Sequence, residues 1–187
     1  GNVPEVICDT AREKGVDLIA ISTHGHGGLK RWALGSVTSK VIQASSIPLL
    51  VHRSTGERVE EVQCKNVLIP IDGSDFAESI FPQARYVAEL FNAKVWFISV
   101  VNLPGGFSVL EEEDHSIEEK VSESIKHYYS MLENRIQEQE TTIDYEVVIR
   151  KGDTSDVICD FANENNIDLI AMSTHGRGGI SRWALAN

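Results

Sequence analysis

The feature that most constrains this chain is an internal repeat: set against each other at a constant offset of 151, residues 6–34 and 157–185 agree at 20 of 29 positions without a gap. Val6-Ile7-Cys8-Asp9 returns as Val157-Ile158-Cys159-Asp160, and Ser22-Thr23-His24-Gly25 returns as Ser173-Thr174-His175-Gly176. A period this long means duplication of a domain-sized unit and excludes a solenoid, whose repeats run to roughly 20–50 residues. The first copy continues through Gly35-Ser36-Val37-Thr38, a helical pattern to about Ala44 and an apolar stretch from Ile47 to Val51, whereas the second stops at Ala186-Asn187. Residues 65–150 precede the second copy and have no counterpart before the first, so the chain is expected to begin and end in mid-domain.

Periodicity fills in the elements. Short apolar runs at Asp17–Ile21 and Leu169–Met172 read as equivalent buried strands, and Val67–Asp72 as another, closing in the turn Gly73-Ser74-Asp75. A helix follows with Ser74 as its cap and apolar residues at Phe76, Ile80, Ala84, Val87, Ala88 and Phe91, and Pro82 should kink or delay it. Lys94–Val101 and Ile143–Ile149 are near-continuous apolar strands. Between them a loop with Pro104-Gly105-Gly106 and the acidic run Glu111–Asp114 leads to a long amphipathic helix from about Ile117 to Gln139. Residues 56–64 read as a linker, giving a segment 1–55 and a unit 65–187. Strands alternating with helices, and too apolar to face water on either side, predict an α/β fold with a parallel sheet covered on both faces.

In such sheets ligands bind beyond the carboxyl ends of the strands. The strand end Ile21-Ser22-Thr23-His24-Gly25 runs into His26-Gly27-Gly28, and nine residues after Gly25 comes Gly35-Ser36 at a helix start. Glycines admit close approach of a ligand, a helix start attracts phosphate, and Ser36 and Thr38 add hydroxyl donors. This is a phosphate cradle without the lysine of a P-loop. A net charge of −11 excludes a nucleic-acid-binding face, so any anion must be held by local backbone geometry.

These residues resemble the universal stress proteins, whose nucleotide-binding members carry G-x2-G-x9-G-[ST]. Ser22-x2-Gly25-x9-Gly35-Ser36 fits except that Ser22 replaces the first glycine, and in the second copy Ala186-Asn187 stands where Gly-Ser is expected. The resemblance implies a doubly wound, five-stranded parallel sheet of order 3-2-1-4-5, and pairing of copies through their last strands into a dimer. It implies an ATP or AMP site in which Pro70-Ile71-Asp72 ends the first strand and Asp72 contacts the adenosine moiety. Val100 would line the base pocket, with Ile21, His24, Gly25, Gly35, Ser36, Val37 and Thr38 from the first copy and Met172, His175 and Gly176 from the second. Mg²⁺ accompanying a triphosphate would be bridged by phosphate oxygens and water.

Other readings stand beside these. Asp72 also suits a turn-capping carboxylate, and His24 and His175, with no partner at metal or triad spacing, suit shaping of a Gly-rich turn better than general-base work. No general base, arginine finger or metal carboxylates can be named, so turnover beyond slow ATP hydrolysis is not expected. Residues 1–55 either form the last part of a first unit or complete the second, in cis or by exchange between copies, since the stretch from Arg53 to Cys64, about 12 residues, spans roughly 35–40 Å. The alternative function is a dimerisation module of the same fold that holds no nucleotide. Cys8 and Cys159, at equivalent apolar helix positions, are expected to be small buried hydrophobes. The start Gly1-Asn2-Val3-Pro4 is not a signal sequence, and a cytoplasmic protein is expected.

Overall fold

The computed structural model describes residues 2–24, 35–54, 63–101 and 143–174, together with positions 127, 130, 131 and 134, which are helical. The Gly-rich stretches 25–34 and 175–187, the linker 55–62 and nearly all of the expected helix 117–139 lie outside the described residues. The chain divides into two compact units, the first within Gly1–Glu61 and the second Val62–Ser173.

In the first unit, helix α1 (Val3–Lys14) leads to strand β1 (Ile19–His24), helix α2 (Ser36–Ala44) and strand β2 (Leu49–Ser54). Pro4 sits in the first turn of α1, where its missing N–H costs nothing, and Gly15 ends the helix in the left-handed conformation at φ 62°. β1 and β2 pair in parallel from Ile19↔Leu49 to His24↔Ser54. The strand therefore extends past the expected Val51, through His52 and Arg53. α1 and α2 pack together, and Pro4, Cys8, Ala11, Thr38 and Val41 are the residues they bury.

The second unit is a four-stranded parallel sheet. Strand β3 (Asn66–Pro70) is followed by a short helix α3 (Asp75–Glu78), helix α4 (Phe81–Phe91) and strand β4 (Lys94–Val101), then by β5 (Tyr145–Lys151), α5 (Thr154–Glu164) and β6 (Leu169–Ile170). The order across the sheet is β5-β4-β3-β6. The single helix expected after Ser74 is thus two, as Pro82 demands: it occupies the first turn of α4, and the chain breaks at Ser79-Ile80 just before it. The described strands form one parallel sheet of four and one of two, with no fifth strand in either sheet among the described residues.

Central strand β3 is buried on both faces, which is why it reads as an unbroken apolar run. Val67, Ile69 and Ile71 pack with Ala84, Ala88, Val95 and Phe97 on the α4 side. Leu68 points the other way, into Ile98, Val148, Ile158 and Phe161. Complete burial of side chains of this size contributes about 1.5–3 kcal/mol each. At the amino end, the Asp168 carboxylate accepts from the backbone N–H groups of Lys65 at 2.7 Å and Asn66 at 3.0 Å, which fixes β6 beside β3. No described helix is long and apolar enough to cross a membrane.

Of the cysteines, Cys8 is buried as expected, but Cys159 is only partly so. Cys64 is buried, and its thiol is pushed above its ordinary value of 9.0 first by burial and then by the nearby Asp168 charge. The folded state thus favours the protonated thiol. Its contribution is complete below the unfolded value and is lost as the pH rises toward the higher folded value. Urea unfolding should show a loss of stability as the pH is raised past 9.0 that the Cys64→Ala variant lacks; an equal loss in both proteins would assign the alkaline dependence elsewhere.

Candidate functional site

The carboxyl edge of the four-stranded sheet gathers five of the expected site residues. The β3–β4 ladder ends at Pro70↔Ile98, two residues before Asp72 and Val100. The β3–β6 ladder ends at Leu68↔Ile170, two residues before Pro70 and Met172. Ile71 is buried and its N–H donates to Ile98 O at 2.9 Å, holding the chain in line as it leaves the strand. Val100 packs on the Leu68 cluster, and Met172 is 42% exposed. Two apolar side chains and one carboxylate thus surround the strand ends.

Asp72 is exposed and opens the turn to α3. Its Oδ1 accepts from the Ser74 N–H at 3.0 Å and the Ser74 hydroxyl at 2.6 Å, while Ser74 Oγ accepts from Ala77 N–H at 3.1 Å. Gly73 between them is at φ 84°, a conformation that favours glycine. The capping role is therefore real, and it occupies only one carboxylate oxygen. Oδ2 has no hydrogen-bond partner among the described residues and can accept from a ligand hydroxyl.

The start of α3 is poorly suited to phosphate. Ser74 already fills its cap, and Asp75 and Glu78 lie in its first turn, close in sequence to the Asp72 carboxylate. The start of α2 differs. Gly35 makes no side-chain cap, the first turn carries no acidic residue, and Gly35 O accepts from Ser39 N, so the N–H groups before Ser39 remain outside the helical ladder. Gly35 has φ −57° and ψ 150°, which any residue adopts, and an added Cβ would meet nothing within 4 Å among the described residues. Neither backbone conformation nor packing there requires glycine, which leaves approach of a ligand as a physical reason for it.

Ser36 and Val37 are exposed at that start, and Thr38 is buried one residue on. Ile21 and His24 lie on β1 in the same unit. Gly25, His175 and Gly176 lie outside the described residues. The expected site residues therefore fall into two groups: Pro70, Ile71, Asp72, Val100 and Met172 in the second unit, and Ile21, His24 and Gly35–Thr38 in the first.

Sequence reasoning missed a contact in the second unit. Ser79 Oγ donates to Phe76 O at 2.7 Å and lies 2.8 Å from Ser173 Oγ. A hydroxyl has one proton, so Ser173 is the donor of the second bond. Ser173 occupies the first position of the repeated S-x2-G element, and this bond ties the α3–α4 break to the chain leaving β6. The repeated serine was the only signal for it.

In comparison with known proteins, the universal stress protein family is matched over residues 1–53 and 63–187. The chain belongs to the universal stress protein family. A universal stress protein of Mycobacterium tuberculosis is 26% identical over 185 residues, covering 91% of this chain and 56% of that relative. The chain thus spans little more than half the length of that curated relative. The crystal structure of a universal stress protein from Archaeoglobus fulgidus superposes with a TM-score of 0.59 at 20% identity, covering 89% of this chain and 53% of the other. A universal stress protein in complex with cAMP superposes at 0.50 with 19% identity, covering 66% and 85%.

Proposed function

We propose that this universal stress protein binds an adenine nucleotide, ATP or AMP, and acts by holding it, with hydrolysis slow at most. The observation that carries this reading is Asp72 Oδ2, which has no hydrogen-bond partner among the described residues and lies just past the carboxyl end of β3 in a parallel sheet. That edge supplies an apolar wall for a base and an acceptor for a ribose hydroxyl, the chemistry expected of a nucleoside pocket in this fold class. Within the first unit, the start of α2 at Gly35, Ser36, Val37 and Thr38 carries no side-chain cap and offers chemistry suited to phosphate. A solved member of the family holds cAMP, which supports an adenine ligand as the class to test first. Mg²⁺ enters this reading only with a triphosphate, held by its oxygens.

In this reading residues 1–55 are the latter part of a first unit, because the edge of β3 that they would need to complete the second is taken by β6. Each complete unit has the order 3-2-1-4-5, with β2 as a fifth strand. The exposed Leu50 and Val51 on β2 are where a second copy pairs to make a dimer. Action in the cytoplasm is part of the same proposal.

Titration calorimetry of the whole chain with AMP, ATP and cAMP tests it. Saturable heat is expected, and ligand at 100 times its Kd should stabilise the binding unit by about 2.7 kcal/mol. The absence of both heat and a melting shift at millimolar concentrations of all three would establish instead a dimerisation module without nucleotide, a reading favoured by Ser22 and Ala186-Asn187 in place of glycines and serine.

A further inference from the structure

The order β5-β4-β3-β6 puts a turning point beside β3: the chain runs outward through β3, β4 and β5, then returns to add β6 on the other edge of β3. In an open parallel sheet a ligand enters the crevice at such a point, outside the carboxyl ends of the two strands that flank it. Here those strands are β3 and β6. One wall of the crevice is the connection from β3 through α3 to α4, and the other is the chain leaving β6. Asp72 stands on the first wall and Met172 on the second. The spacing of the walls is therefore the width open to a ligand that touches both.

A pair of serines joins the walls. Ala171 N–H donates to Leu68 O at 2.9 Å, and past that bond the next tie between the walls among the described residues is the 2.8 Å contact of Ser173 Oγ with Ser79 Oγ. Ser79 follows the last residue of α3 and keeps helical angles, φ −60° and ψ −15°, which let its hydroxyl donate back to Phe76 O at 2.7 Å. The protons thus run in one direction, from Ser173 to Ser79 to Phe76. Anchored in this way, the Ser79 oxygen is a fixed acceptor, and it holds the Ser173 side chain in one of its staggered rotamers.

The placement of this pair depends on the break between α3 and α4. Pro82 lies in the first turn of α4, so α3 stops at Glu78 and the Ser79 side chain stands at the break. Ser79 is exposed, and water would satisfy its hydroxyl nearly as well, so the bond adds position more than stability.

We infer that Ser79 is a positioning residue of the nucleoside crevice, acting through Ser173 to hold the wall that leaves β6 at a fixed distance from the wall that leaves β3. The inference rests on the nucleotide reading above. It is tested by titrating the whole chain and its Ser79→Ala, Ser79→Thr, Ser173→Gly and Ser79→Ala/Ser173→Gly variants with AMP, ATP and adenosine, and by following amide exchange of the unliganded proteins. Ser79→Ala should weaken AMP and adenosine alike by roughly 3- to 10-fold, the scale of one neutral hydrogen bond, and Ser79→Thr, which keeps the hydroxyl, should bind as the native chain does. Without ligand, Ser79→Ala should speed exchange of the Ala171 amide several-fold and leave that of Ile71, which is bound to Ile98 O on the other edge of β3, unchanged. In the Ser173→Gly background Ser79→Ala should have neither effect, because the group through which it acts is gone. Ser79→Ala losses that persist undiminished in that background, or an affinity and an Ala171 exchange that Ser79→Ala leaves unchanged, overturn this inference alone. If the unmodified chain binds none of the three ligands, the nucleotide reading is overturned and this inference with it.

Discussion

Leu68→Ala is expected to lower the stability of the second unit by about 2–5 kcal/mol, the range for truncating a fully buried leucine. Leu68 is 0% exposed and lies on the central strand, with β4 on one side and β6 on the other. Ile98, Val148, Ile158 and Phe161 around it come from three further elements, two of them strands held in ladders, so collapse into the vacated space is restricted. Much of the lost packing is therefore not recovered. The equivalent change at the half-exposed Leu18 of the first unit should stay within about 0.5 kcal/mol. Urea unfolding followed by Trp96 fluorescence reads the second unit, since Trp96 packs edge-on against Phe161 at 5.6 Å. A loss below about 1 kcal/mol for Leu68→Ala would mean that this side of the sheet is not the core.

What was legible in the sequence was local or periodic. β4 could be read to the residue because the eight positions from Lys94 to Val101 carry a near-continuous apolar pattern, interrupted after Lys94 only at Ser99. The break before α4 followed from Pro82, and the Ser74 cap from the turn chemistry of Asp-Gly-Ser. The carboxyl-edge placement of Asp72 and Val100 was legible because strand ends in a parallel sheet share one side. Contacts between distant residues were not. The Asp168 carboxylate reaches backbone groups more than 100 positions away, and Ser79 meets Ser173 across 94. No local pattern encodes such pairings, which depend on which strand lies beside β3. The repeat also misled in one respect: identical residues suggest identical burial, yet Cys8 and Cys159 differ because each copy has a different neighbour.

Asp72→Asn is expected to weaken AMP binding by about 10- to 100-fold, since a hydrogen bond to a charged group is worth about 1.5–3 kcal/mol. The substitution separates the two roles of this side chain. Asparagine keeps an oxygen able to accept from the Ser74 N–H and hydroxyl, which now meet Oδ1 at 3.0 and 2.6 Å, so the turn into α3 survives. It replaces Oδ2 with an amide that donates, and a donor cannot receive a ribose hydroxyl proton. The stability of the unliganded protein should therefore change by less than about 0.5 kcal/mol. Asp72→Ala removes both functions and should lose the same affinity plus about 1 kcal/mol of stability, the usual scale for deleting a side-chain cap. Because α3 is already capped and flanked by carboxylates, the loss should be as large for adenosine as for AMP. Calorimetric titration of the variants with both ligands decides the point. If Asp72→Asn binds AMP as the native protein does, Asp72 is a turn-capping residue only, and the nucleotide reading loses the observation on which it rests.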